Sequence, residues 1–377
     1  MSKWEYCGSL RAVEERLTTQ QLQERAWAAG FEISQRRLED WRYRGLMPRP
    51  ERVGSDGKAP RWLYPAGAEE QLLALCRYRE ATKDLEAVRV ALWVDGFPVD
   101  EQGVREAIGT VLVGMRNRVE DALAEEARRA DPAGEPVTPE TALDALAYRA
   151  AGVHGNRPTP RTIRMRRAER AHGISFLARL FMGYDLDERL ADAKLAERAM
   201  GISAGRRGPA PYRWLDGKPE ELADLRSIIS LPVLIKAAET STDVELRRAR
   251  QFARAFVHGL PLIALFAEAM LGPRAAGLAA AKNINQADPE FYCMLVPALV
   301  AALRSGYAEN LDTIQTALDG MTALAPDLEQ LAALPEAERK RRIQIAPASE
   351  RPQLRRLLQL QAEQQDAKTG KRSKHKI

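Results

Sequence analysis

Residues 34–64 read SQRRLEDWRYRGLMPRPERVGSDGKAPRWLY, and this stretch decides the fold. Ser34 is an N-cap type and Gln35–Arg44 can follow it as a helix that stops at Gly45. Leu38 and Trp41 lie three residues apart, which puts both on one face and leaves Gln35, Arg36, Arg37 and Arg42 on others. Beyond Gly45-Leu46-Met47-Pro48, two short extended runs flank Ser55-Asp56-Gly57, the pattern of a hairpin. A helix followed by a small hairpin predicts a recognition helix and its wing. Trp62 or Tyr64 is expected to pack the hairpin onto the helices.

Working toward the N-terminus, Thr18 with Gln21 three residues on forms a capping-box pattern before a first helix that ends near Gly30. In the other direction, Ala68 to Trp93 reads as two helices, and Asp95-Gly96-Phe97-Pro98-Val99 breaks the pattern. Asp100 to Ala130 then reads as one long helix, with Val104, Ile108, Val111, Met115, Val119 and Ala122 recurring at spacings of three and four. Such a stripe packs on its own chain or pairs with a second copy.

Between Ser34 and Tyr64 eight Arg and Lys stand against four acids, a local net charge of +4, close to the +5 of the whole 377-residue chain. The residues expected to meet duplex DNA are therefore concentrated here: Ser34, Gln35, Arg36, Arg37, Arg42 and Arg44 on the helix, and Arg49, Arg52, Lys58, Arg61 and Tyr64 on the wing. Arg and Gln suit base edges in a major groove, and Arg and Lys suit phosphate.

With Ser34, Leu38, Trp41, Gly45-Leu46, Pro48, Arg61 and Tyr64 at these spacings, followed by Glu69 to Tyr78 and Asp84 to Trp93, the segment resembles the DNA-binding domain of the MerR family. The resemblance covers about the first quarter of the chain. It implies a winged helix-turn-helix that holds double-stranded DNA, and a homodimer formed through the long helix that follows. Glu39 and Asp40 depart from the family, which usually has an Arg and then an aromatic residue at those positions. The wing ends Arg61-Trp62-Leu63-Tyr64, one residue longer than the family pattern, and the first helix-to-helix turn is longer too.

Composition bounds the rest. At 377 residues and 45% apolar, the chain is long enough for two or three cores. Cys7, Cys76 and Cys293 are too dispersed for a disulfide framework or a zinc motif, and Cys76 sits in an apolar run as a buried small residue. His154, His172, His258 and His375 share no metal-ligand spacing. No phosphate loop, nucleophile elbow or carboxylate pair stands out, and Asp185 to Glu188 reads as a helix-start cluster. No cofactor, metal or enzymatic activity is expected. Met1 to Glu5 lacks a signal-peptide layout, and Ala255 to Gly272, interrupted by His258, Pro261 and Glu268, reads as a buried helix with a proline-bent start in place of a membrane span.

The expected fold is mainly α, with an N-terminal winged helix-turn-helix and β-hairpin wing (1–98), a long helix suited to dimerisation (99–131), a linker with a short helix from Thr138-Pro139 (132–160), an all-helical domain (161–335), and a basic helix and tail (336–377). Thr240 with Asp243 is a candidate cap for Val244 to His258. Arg157, Arg161, Arg164, Arg166, Arg167 and Arg170 form a second basic stretch, and Lys368 to Ile377 a cationic end able to add salt-sensitive DNA affinity. These expectations describe a cytoplasmic, nucleoid-associated bacterial regulator, with the helical half open to a small-molecule or protein effector. The alternatives are an excisionase-like or architectural factor of a mobile element, and a protein-interaction scaffold that binds no DNA.

Overall fold

The computed structural model describes residues 16–56, 59–130, 137–152, 166–184, 219–271, 288–334 and 336–345, with a few single positions beyond. The fold is mainly helical, as expected, with thirteen helices and one two-stranded antiparallel hairpin among the described residues. Two compact units divide it: Met1–Val111 with Asp288–Cys293, and Leu112–Ala287 with Met294–Ile377.

The first unit begins with α1 (Thr19–Ala28), capped by the reciprocal Thr18–Gln21 box. α2 (Gln35–Tyr43) follows, then β1 (Glu51–Asp56), β2 (Ala59–Leu63), α3 (Ala68–Ala81) and α4 (Leu85–Asp95). Leu22, Ala26, Leu38, Trp41, Leu46, Tyr64, Leu72, Leu75, Val88 and Leu92 share one core, to which α1, α2, α3 and α4 each give an apolar face. α4 is enclosed more than any other helix of the unit: Ala87, Val88, Val90, Ala91, Leu92, Trp93 and Val94 are all buried. Asp84 caps it by accepting from the Glu86 and Ala87 amides, and Gly96 ends it at φ 108°, where a side chain would be strained.

Residues 288–293 belong with this unit although some two hundred residues separate them from α3 in sequence. The Tyr292 ring meets the Tyr78 ring edge-on, with centroids 6.2 Å apart, and the Tyr78 hydroxyl donates to Asp95 Oδ2 at 2.7 Å. Burial and then the Asp95 charge raise the Tyr78 phenol far above the usual range, while burial lifts Tyr292 to about 12. The domain limits read from sequence, 1–98 and 161–335, contain no sign of this pairing, because it depends on two aromatic rings remote in the chain.

α5 (Glu101–Ala130) is the long helix expected from the periodicity. Val104, Ile108 and Val111 are buried, and Met115, Val119 and Ala122 are half-buried. Near its end, Val119 and Leu123 pack with Ala142 and Leu143 of α6 (Pro139–Ala150). The stripe that suggested a dimer seam is thus largely covered by its own chain. Thr138 caps α6, with Pro139 in its first turn, as the sequence indicates.

The second unit adds α7 (Arg167–Met182), α8 (Pro219–Ile229), α9 (Leu231–Thr240), α10 (Asp243–Leu271), α11 (Pro289–Arg304, whose first turn lies in the other unit), α12 (Ala308–Ala333) and α13 (Glu336–Ile345). Glu126 of α5, itself buried, pairs with Arg149 of α6 at 2.6 Å. Asp144 of α6 accepts from Ser175 and Arg179 of α7. α10 runs unbroken through Pro261, so the two helices read from sequence around His258 are one. Its cap is also a correction: Thr242, not Thr240, forms a box with Glu245. Thr240 instead ends α9 and accepts from Arg304 through both its hydroxyl and its carbonyl. No helix among the described residues is long and apolar enough to cross a membrane.

Candidate nucleic-acid interface

α2 is placed by its buried side. Leu38 and Trp41 are 0% and 4% exposed, so the helix is pinned along one stripe and Gln35, Arg36, Arg37, Tyr43 and Arg44 stand in solvent. Ser34 Oγ accepts from the Arg37 amide at 3.3 Å and starts the helix where the basic residues begin. Arg44 is the C-cap instead of the last helical residue, and Gly45 turns the chain at φ 70°.

Two contacts anchor the two ends of the wing to the helical core. Gln71 of α3, a buried amide, donates to the Leu46 carbonyl at 2.8 Å and fixes the turn after α2. At the far side of the hairpin the Tyr64 amide donates to the Leu17 carbonyl at 2.7 Å, so the chain just before α1 closes against the residue after β2. Neither Gln71 nor Leu17 was singled out in the sequence. A lone glutamine before Leu72 in an apolar run was the available signal for the first.

The two acids on α2 are held within the helix. Gln35 donates to Glu39 at 2.9 Å, Arg42 lies 3.7 Å from Glu39, and Arg44 binds Asp40 at 3.1 Å. Exposed pairs of this kind contribute about 0–1 kcal/mol, so Arg42 and Arg44 are occupied but not committed. Among the described residues Arg36, Arg37, Arg49, Arg52 and Arg61 form no salt bridge, and all five are exposed. These are the cations left to act outward.

The wing departs from expectation at one position: Tyr64, expected among the DNA-facing residues, takes the packing role expected of Trp62 or Tyr64. Tyr64 is 0% exposed and belongs to the core, where burial raises its phenol against the lowering influence of Arg42; it cannot reach a phosphate. Trp62, the other candidate for packing the hairpin, is 50% exposed and stands outward. Residues two apart on a strand share a side, so alternation alone would put Trp62 and Tyr64 together; Tyr64 lies one residue past the end of β2, where its amide pairs with Leu17, and it turns into the core. Arg52 lies opposite Trp62, and a bulge follows, with one more residue on β1 than on β2 before Ser55 meets Pro60. Lys58 lies outside the described residues.

Behind α2 an open cleft of about 460 Å³ is lined by Phe31, Ile33, Arg37, Trp41, Arg79 and Lys83 among others. Glu32, Asp40 and Glu80 line it too, so Arg37 stands at the border between this cleft and the exposed side of α2. Cys76 borders it, its thiol raised to about 11 by burial. Among the described residues no group of His, Cys, Asp or Glu gathers in a metal-binding arrangement.

Of the second basic stretch, Arg157, Arg161 and Arg164 lie outside the described residues. Arg167 is used internally: its guanidinium sits 4.2 Å over the Tyr148 ring and its Nε donates to the Tyr148 carbonyl. Asp185 to Glu188 and the tail from Lys368 are also outside the described residues.

Neither a family model, nor a curated protein, nor a solved structure matches this chain.

Proposed function

We propose that the chain is a DNA-binding transcriptional regulator of MerR type, in which α2 enters a major groove and the hairpin lies along the adjacent backbone. The observation that carries this reading is the charge arrangement on a rigid mount. Arg36 and Arg37 project from the first turn of a helix whose opposite face is buried, while Arg49, Arg52 and Arg61 stand on the connected hairpin. A helix N-terminal turn bearing unpaired arginines suits base edges and phosphates alike, and the interlock through Gln71 and Leu17 would keep helix and wing in one register.

Pairing of two copies on an inverted repeat is the second part of the proposal. It would use a surface other than Val104, Ile108 and Val111, which are buried.

The test is selection of bound fragments from a random-sequence duplex pool by the full chain at near-physiological salt. An enriched inverted repeat supports the regulator and its pairing, and a single half-site supports binding by one copy. Enrichment of bendable sequence without a base motif favours an architectural factor. Binding that vanishes as salt rises, with no enrichment, overturns the reading in favour of a protein scaffold.

A further inference from the structure

We propose that the junction of α6 and α7 is a binding site for single-stranded nucleic acid, in which a base stacks on the Tyr148 ring and Arg166 and Arg170 take the flanking phosphates. The site lies within the second unit and is independent of the duplex reading of α2.

Tyr148 stands in the last turn of α6 and is 49% exposed, the one large hydrophobic side chain that α6 and α7 leave in solvent among the described residues. Its ring is fixed from one side. The Arg167 guanidinium lies 4.2 Å from the ring centroid, and Arg167 Nε donates to the Tyr148 carbonyl at 3.1 Å. Gly152 makes room for this approach, since a Cβ there would come within 2.6 Å of Arg167 Nη2. A ring stacked under a guanidinium is ordered before any ligand arrives, and its exposed remainder is a flat platform.

The charge beside the ring has no partner within the fold. Elsewhere on these helices arginine is paired, Arg149 with Glu126 and Arg179 with Asp144. Arg166 is exposed, Arg170 is half-buried, and neither forms an ion pair among the described residues. Arg170 lies three residues after Arg167, so the two are neighbours on the helix surface. The acid between them, Glu169, accepts from the Arg166 amide at 2.9 Å. Asp144, one turn before Tyr148, already accepts from Ser175 and Arg179. Residues 157–170 hold six Arg against that single Glu169, a net +5 that equals the formal charge of the whole chain.

Ring and charge together select the occupant. A single strand offers one phosphate and one free base face per nucleotide, which a cationic surface with an aromatic platform takes up at once. A duplex keeps its base faces stacked inside and would use the arginines alone. An anionic membrane would need several apolar side chains around the cations, and Tyr148 is the only exposed one here.

The experiment is fluorescence anisotropy of the full chain with labelled oligothymidylate and oligouridylate of about 20 nucleotides, longer than one such site. The wild type is expected to bind, and an abasic strand with the same phosphates and no bases should bind about tenfold more weakly. That comparison tests the stacking without altering the protein. Tyr148→Leu should weaken binding about tenfold and Tyr148→Phe should keep it. Arg166→Gln with Arg170→Gln should lower the salt slope by about 1.4, two phosphates at about 0.7 each. None of these variants should change affinity for a duplex selected through α2.

A preference for thymidylate or uridylate names DNA or RNA as the strand and supports the site in either case. Equal affinity for the abasic strand, full affinity in Tyr148→Leu, or no binding to either oligonucleotide overturns it. Tighter binding to vesicles of phosphatidylserine and phosphatidylcholine, lost in the double arginine variant, makes the patch a membrane contact and overturns it too. Loss of duplex binding alone removes α2 from DNA and leaves this site standing.

Discussion

The Gln71 side-chain amide donates to the Leu46 backbone carbonyl at 2.8 Å inside the core of the first unit, with Gln71 only 1% exposed. Leu46 follows the αL turn at Gly45 that ends α2, so this bond, together with those from the Gly45 and Leu46 amides to the Arg42 and Trp41 carbonyls, sets where the chain leaves the helix for the wing. Gln71→Leu keeps the volume but strands a buried carbonyl, and should destabilise the fold by about 1–3 kcal/mol. Urea unfolding of the two proteins measures this. A change under about 0.5 kcal/mol would mean the backbone bonds at Gly45 and Leu46 and the packing hold the turn without it.

Arg36 and Arg37 carry the proposed major-groove contact. Arg36→Ala and Arg37→Ala should each weaken binding to a selected duplex by about 1–3 kcal/mol if they meet base edges. Fluorescence anisotropy titration at fixed salt would report it, and full affinity in both variants would remove α2 from the groove.

Glu39 is the acid that occupies both Gln35 and Arg42. Glu39→Gln should therefore raise DNA affinity and steepen its salt dependence, because it removes a negative charge and releases Arg42 toward phosphate. An unchanged salt slope would show that Arg42 takes no part.

In the second unit Arg304 grips Glu245 through two bonds of 2.7 and 2.9 Å and Thr240 through two more. The Arg304 hydrogen bonds, against some desolvation, bring the Glu245 carboxyl down to about 2. A carboxylate with a lowered folded pKa stabilises the fold fully above its unfolded value, about 4.3. That contribution falls away as pH drops through the window down to about 2. Thermal melts from pH 7 to pH 2 should show this acid loss in the wild type and a smaller one in Arg304→Met. Equal slopes would mean that other carboxylates govern the acid limb.

Gly259 of α10 lies at a close approach to α12. A Cβ there would lie 2.8 Å from the Leu318 carbonyl oxygen and 3.0 Å from the Leu318 Cβ. Gly259→Ala should cost about 1–3 kcal/mol by overpacking, despite alanine's better helix propensity. Gly320→Ala, where nothing lies within 4 Å, is the control and should be neutral or stabilising. Equal behaviour of the two would show that the helices slide freely.

By itself the sequence determined the local parts of this protein. Thr18 with Gln21, Ser34, Asp84 and Thr138 with Pro139 announce helix starts, because a cap needs only neighbours within one turn. The i, i+3 spacing of Leu38 and Trp41 shows the inner face of α2, and the long repeat from Val104 shows α5. What only the tertiary structure decided depends on partners distant in sequence. Tyr64 goes inside because it lies just past β2 and pairs there with Leu17 against the core, while Trp62, two residues earlier within the strand, stays outside; alternation alone would have put both on one side. The stripe on α5 is covered by its own chain, which periodicity cannot tell from pairing with a copy. Thr242 takes the cap of α10 because Arg304, sixty residues on, holds Thr240 and Glu245 in place. Tyr292 meets Tyr78 within the first unit across some two hundred residues of chain, a pairing that no local pattern in the sequence can announce.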